Sequence, residues 1–232
     1  MKKSKETIKY AFKASIPIMA GYIVLGMGFG VLMESKGYDW WWSLFMSLTV
    51  YAGSMQYVAI DLLAGGATLI SAALMTLLVN IRHIFYGITM LEGYKDTGAK
   101  KPYLICALTD ETFSLVCSPK LPEGVERKAY YFFVSLFNHF YWVAGSVLGG
   151  VIGNVFTFNT AGVDFAMTAL FVVIFVEQWE STKQHIPALT GVLCSLVMLL
   201  IFGPSDFLIP AMITITVALL AERKMLEGGG EE

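Results

Sequence analysis

Apolar residues run along this chain in long, nearly uninterrupted blocks. The blocks cover residues 14–33, 41–64, 67–91, 103–117, 129–153, 164–180, 186–203 and 206–221, with short polar connections between them. Residues 14–33 and 186–205 contain no charged side chain at all. About 20 apolar residues is the length a helix needs to cross a hydrocarbon core of roughly 30 Å. The blocks are apolar on every side instead of alternating with period two, which predicts helices and not a barrel. The expectation is an all-α, polytopic helical membrane protein with about six to eight spanning helices. The connections leave no room for a soluble domain, so residues 1–232 read as one transmembrane domain, with a basic tail over 1–13 and a short polar tail over 225–232. The lysine-rich start and first apolar block read as a retained span, because the block is longer than a signal core and no small-x-small cleavage pattern follows.

Composition agrees with this pattern. The chain is 56% hydrophobic and 15% charged, where a soluble domain carries about 25% charged residues. The net charge of −2 and the lack of a basic stripe or phosphate loop give no footing for a nucleic acid or nucleotide partner. Cys106, Cys117 and Cys194 have no metal-ligand spacing, so neither a metal, a cofactor nor a disulfide framework is expected.

Charge placement changes the picture more. Lys2, Lys3, Lys5, Lys9 and Lys13 at one end and Arg223 and Lys224 at the other place both termini in the cytoplasm by the positive-inside rule. The loops 92–102 and 118–128 are also basic. A plain count of eight crossings puts the first of them outside. Both loops fall on the cytoplasmic side only if 103–117 dips in and out and 41–91 makes one net crossing, so two of the eight blocks are expected to be broken or re-entrant. Gly65-Gly66 reads as a tight turn or as a break within the membrane. A possible internal repeat is also visible. Gly26 and Gly30 in one segment, and Gly145, Gly149 and Gly153 in a later one, share the spacing that lets helix backbones approach closely. Gln56 and Gln178 follow the two clusters at similar distances.

Polar groups inside spans are costly and therefore informative. Four places stand out. Tyr51-Ala52-Gly53-Ser54-Met55-Gln56 puts small and polar residues in mid-segment, where an unwound turn would expose backbone groups or the residues would form a packing face. Asn80-Ile81-Arg82-His83 sits deep in an apolar block. The planar Arg82 fork suits either a carboxylate ligand or a fixed acidic partner, and His83 titrates near neutral pH. Thr109-Asp110-Glu111-Thr112-Phe113 brings two adjacent acids into a short apolar run, fitting a water-lined cavity, a pairing with Arg82, or an interfacial position. Asn138-His139 lies within a helix, and Glu177-Gln178 near a segment end beside Trp179. No nucleophile, base and oxyanion group assemble, so enzymatic activity is not expected.

Taken in order and with their spacing, Tyr51–Gln56, Asn80–Gly87 and Thr109–Phe113 resemble the signature segments of the AzlC family, and the resemblance extends over residues 8–224. It implies the large subunit of a bacterial branched-chain amino acid exporter in the cytoplasmic membrane. Such a subunit works beside a small AzlD-type membrane protein and moves leucine, isoleucine, valine and methionine outward by secondary transport. For a zwitterion with an apolar tail, the local chemistry offers Arg82 or exposed amides near Gly53 and Ser54 for the carboxylate, with Asn80 alongside. Asp110, Glu111 or Gln56 would meet the ammonium group. His83, Asp110, Glu111 and His139 are the candidates for proton coupling or ion pairing. A passive facilitator and a structural subunit of a membrane complex are the other readings of the same features.

Overall fold

The computed structural model describes residues 2–117, 119, 121–155, 172, 175–176, 179–180 and 184–228. Among these residues the secondary structure is helical throughout: α1 (Lys2–Ser35), α2 (Trp40–Thr49), α3 (Gly53–Ala64), α4 (Leu69–Thr89), a short 3₁₀ turn (Gly98–Lys100), α5 (Lys101–Cys106), α6 (Asp110–Val116), α7 (Arg127–Val155), α8 (Ile186–Asp206) and α9 (Leu208–Gly228). The chain forms two compact units, residues 1–169 and 170–232. Four helices among the described residues are long and apolar enough to cross a membrane: Lys5–Ser35, Leu69–Thr89, Arg127–Val155 and Ile186–Gly203. Most of the predicted 164–180 segment, including Glu177 and Gln178, lies outside the described residues.

The first unit is organised around α1 and α7. At 34 residues, α1 is roughly 50 Å long; its helix begins at Lys2, so the basic tail expected over 1–13 is an extension of the first span. The two glycine clusters meet here. A Cβ added to Gly26 would lie 2.9 Å from the Ser146 backbone nitrogen, and one added to Gly145 would lie 2.8 Å from the Ile23 carbonyl. Gly30 faces the backbone at Ser146 and Gly150, and Gly149 faces Met27. The spacing that hinted at a repeat therefore joins one helix directly to the other. In lipid, where apolar side chains gain nothing by leaving their solvent, such close backbone packing is a main source of association. Ser15 and Tyr141 add a buried hydroxyl contact of 3.1 Å.

The predicted 41–64 block is broken. α2 ends at Thr49, and the chain turns through Tyr51, whose φ of 41° is the sole positive φ outside glycine among the described residues. α3 then starts at Gly53. The 103–117 block is broken in the same way, with α5 ending at Cys106 and α6 starting at Asp110. Helices of 10, 12, 6 and 7 residues are each too short to cross roughly 30 Å of hydrocarbon.

Their contacts with α1 and α7 show how they run. α2 begins against Gly150, at the late end of α7. It descends until the Ser47 carbonyl meets His139. α3 climbs back, with the Tyr57 hydroxyl donating to the Leu25 carbonyl at 2.6 Å and its ring meeting Phe29. The other hairpin enters from the opposite end. Leu104 and Val116 share a core cluster with Ala11, Tyr130, Tyr131 and Val134, while the intervening turn reaches Tyr22 through Thr109. Both blocks are therefore re-entrant, entering from opposite ends of the α1–α7 pair and turning near its middle.

Between them, α4 crosses alone, and Gly65-Gly66 is the tight turn leading into it. Gly66 has φ 62°, the Ala67 N–H returns to the Leu62 carbonyl at 2.9 Å, and the Thr68 hydroxyl caps α4 by accepting from the Ser71 N–H. The left-handed turn is one that only glycine adopts without cost. α4 ends at the cluster containing Met90 and Tyr94, where the Tyr94 and Tyr131 rings are 5.5 Å apart. The Glu126 N–H donates to Thr7 Oγ1 at 3.1 Å. Loop 92–102, loop 118–128 and the basic start of α1 thus gather at one end of this unit, as the charge pattern required.

In the second unit α8 and α9 form a helical pair, tied by the Thr190 hydroxyl donating to both carboxylate oxygens of Glu222 at 3.2 and 3.1 Å. Gly203, with φ 74° and ψ 173°, breaks α8 near its end, close to the boundary expected at 203–206.

Candidate functional site

The two re-entrant turns meet at the centre of the first unit, each presenting the start of a helix. The first peptide N–H groups of α3 and α6 have no partner one turn back, so both starts carry partial positive charge. On α6 the Thr109 hydroxyl accepts from the Thr112 N–H at 3.3 Å, and Asp110 and Glu111 occupy the first turn, where a carboxylate is favoured. α3 has no side-chain cap; Ala52 precedes it in an extended conformation.

Arg82 reaches this meeting point from α4. Its Nη2 lies 3.0 Å from Asp110 Oδ2 and donates to Ser54 Oγ at 2.9 Å. One guanidinium nitrogen therefore links the crossing helix to both turns. This is the one ion pair among the described residues, and it is half-buried. Arg82 Nε and Asp110 Oδ1 are buried without a hydrogen-bond partner there, so neither ion's bonding capacity is used up. The Tyr86 and Phe113 rings stack with centroids 4.4 Å apart, providing an apolar wall on the same two helices.

Glu111, the next residue, turns to a different set of groups. The Tyr22 hydroxyl donates to Glu111 Oε2 at 2.6 Å and lies 2.7 Å from Thr109 Oγ1. Thr109 donates to Thr112, and the Asn138 amide donates to Thr112 Oγ1 at 3.0 Å. Two adjacent acids are thereby divided, one facing a cation and one facing hydroxyls.

The remaining predicted residues have structural partners. Gln56 is fully buried; its amide donates to Ser47 Oγ at 3.1 Å and accepts from Trp142 Nε1 at 2.9 Å, which braces α3 against α2 and α7. Gly53 lies beneath the Trp142 ring, its added Cβ 3.1 Å from Cη2. His139 places Nε2 3.1 Å from the Ser47 carbonyl and Nδ1 3.3 Å from the Tyr103 hydroxyl, and its ring stacks on Tyr51 at 4.1 Å. His83 and Asn80 stay with their own helix, the His83 Nδ1 being 3.3 Å from the Asn80 carbonyl. Gly53, Ser54, Arg82, Asp110 and Glu111 thus come together at the turns, while Gln56 and His139 hold the frame and Asn80 and His83 contact each other within α4. Sequence reasoning missed Tyr22, Trp142 and Tyr103, because an aromatic residue in an apolar run reads as core or lipid-facing, and its polar tip gives no signal until a partner is placed against it.

Long apolar helices, paired re-entrant segments and an ion pair at their junction define a polytopic helical membrane protein. The AzlC protein family model matches residues 17–156, which contain both turns and Arg82. The chain is 47% identical over 217 residues to the branched-chain amino acid transport protein AzlC of Bacillus subtilis, covering 94% of this chain and 85% of that one. It is 44% identical to an uncharacterized membrane protein of Helicobacter pylori, covering 96% and 97%. It is 28% identical to the Escherichia coli inner membrane protein YgaZ, covering 78% and 79%. The chain belongs to the AzlC family. No solved structure matches it.

Proposed function

We propose that this protein is a secondary transporter that exports branched-chain amino acids across the bacterial cytoplasmic membrane, coupled to protons. In this reading residues 1–232 act as one transporter domain, the large subunit of a pair completed by a small AzlD-type membrane protein. The name of the Bacillus relative supports the substrate class. The end of the first unit that collects the basic residues faces the cytoplasm, and Arg223 and Lys224 assign the C-terminus to the cytoplasm by the positive-inside rule.

The observation that carries the reading is the Arg82–Asp110 pair held between two helix starts. A zwitterionic amino acid presents one carboxylate and one ammonium on the same carbon. It can replace the internal pair charge for charge, with its carboxylate on Arg82 and its ammonium on Asp110, so no net charge enters the membrane centre. Ser54 Oγ and the amides opening α3 add donors for the carboxylate, and the Tyr86–Phe113 wall receives the aliphatic side chain. Broken helices meeting at mid-membrane serve the same purpose in many secondary transporters.

The test is labelled-leucine counterflow in proteoliposomes, with and without the small partner. Arg82→Ala and Asp110→Asn should each lower the rate at least about tenfold, the equivalent of 1.4 kcal/mol. The double variant should be little worse than either single one, because both remove the same pair. Unaltered counterflow in both single variants removes this site. Flux that ignores an imposed pH gradient favours a passive facilitator instead.

A further inference from the structure

Arg82 is engaged with Asp110, and this leaves Glu111 in a separate environment. Tyr22 reaches it from α1, and Tyr51 and Tyr86 act on it from the α2–α3 turn and from α4. Asp110 adjoins it on its own helix, and α7 contributes the neutral Asn138 through Thr112. No Lys, Arg or His among the described residues forms an ion pair with it.

The hydrogen count around Glu111 is informative. Each hydroxyl carries one hydrogen. Thr109 Oγ1 lies 2.7 Å from the Tyr22 hydroxyl, where either oxygen can donate, and 3.1 Å from Thr112 Oγ1, to which it can also donate. The Tyr22 hydroxyl has one hydrogen but two short oxygen contacts, 2.6 Å to Glu111 and 2.7 Å to Thr109. With Glu111 ionised, Tyr22 donates to the carboxylate and Thr109 donates to Tyr22. One added proton can reverse this chain. A protonated Glu111 donates to Tyr22, and Tyr22 donates to Thr109. Tyr22 and Thr109 are both over nine-tenths buried.

We propose that Glu111 is the coupling-proton site, distinct from the Arg82–Asp110 substrate pair, and that Tyr22 is the positioning residue that reads its charge state. The proposal rests on the transporter reading above and deepens it. Protonation reverses the direction of the Tyr22 hydrogen bond, so the tie between α1 and the α5–α6 turn changes with each proton taken up or released. Substrate and proton thereby act on neighbouring residues of one turn, which is a short route for coupling.

The experiment compares leucine counterflow, which needs no gradient, with leucine accumulation driven by an imposed pH gradient, using the full chain in proteoliposomes. Glu111→Gln should lose the gradient-driven accumulation while exchange persists at a reduced rate. Tyr22→Phe should keep coupling but move the pH midpoint of efflux by about one unit. A Glu111→Gln variant that accumulates leucine as the original chain does would overturn the proposal. So would accumulation that follows a sodium gradient in place of the proton gradient. If the original chain moves no leucine even with the small partner present, the transporter reading fails, and infrared spectroscopy on the purified protein still tests Glu111. A carboxylic-acid band that titrates with pH and is lost in Glu111→Gln supports the proton site, and a band indifferent to that substitution rejects it.

Discussion

The two re-entrant hairpins differ in what their turns contribute. The α2–α3 turn carries no charge. Its shape is held by Tyr51 in a left-handed conformation, stacked on His139, and by the bonded Gln56 amide. The α5–α6 turn is capped by a threonine hydroxyl and carries two carboxylates. One turn provides a neutral frame that opens a helix, and the other provides charge that can exchange partners. A zwitterion requires both, because its two charges must be met without leaving an unpaired ion in the membrane.

The strongest way to break this contrast is to remove the surface on which both hairpins rest. Gly149→Val would put side-chain atoms into the Met27 backbone, forcing α1 and α7 apart. The expected result is a loss of 3 kcal/mol or more, roughly the upper end of overpacking, and a lower thermal aggregation temperature in detergent than any turn variant. Equal stability would mean the helix pair tolerates separation. A narrower test addresses the frame. Gln56→Leu leaves the Trp142 N–H buried without its acceptor, at a cost of about 1–3 kcal/mol. Stability should fall clearly, whereas Asp110→Asn at the charged turn should change stability less and transport more. The smallest effect isolates backbone strain. Tyr51→Ala and Tyr51→Gly both lose the ring stack on His139, but only glycine relieves the φ of 41°. The glycine variant should be the more stable by about 1 kcal/mol, measured as the difference between the two melting temperatures.

The break in each hairpin was readable in advance for different reasons. At 103–117 the signal was two acids in a run too short to cross. At 41–64 it was Gly53-Ser54 in mid-segment together with the basic loop at 92–102, which no simple count of crossings could place. The pairing of Arg82 was open between ligand and fixed acid until the turns were seen to converge. Asp110 and Glu111 were indistinguishable in the sequence, since adjacent helical residues share composition but point about 100° apart. The glycine clusters carried a readable meaning too: their spacing permits close backbone approach, which α1 and α7 realise against each other.

By itself the sequence determined the solvent, the helical class, the two interrupted segments and the family. These follow from local quantities: the length of apolar runs, the cost of charge in lipid, and short motifs in order. Only the tertiary structure decided that the two turns enter from opposite ends, that Gly26 and Gly30 face Gly145 and Gly149, and that Tyr22 meets Glu111 while Arg82 meets Asp110. Those depend on contacts between residues 28 to 123 positions apart, where the energy of an ion pair or a backbone approach exists only once distant helices have packed.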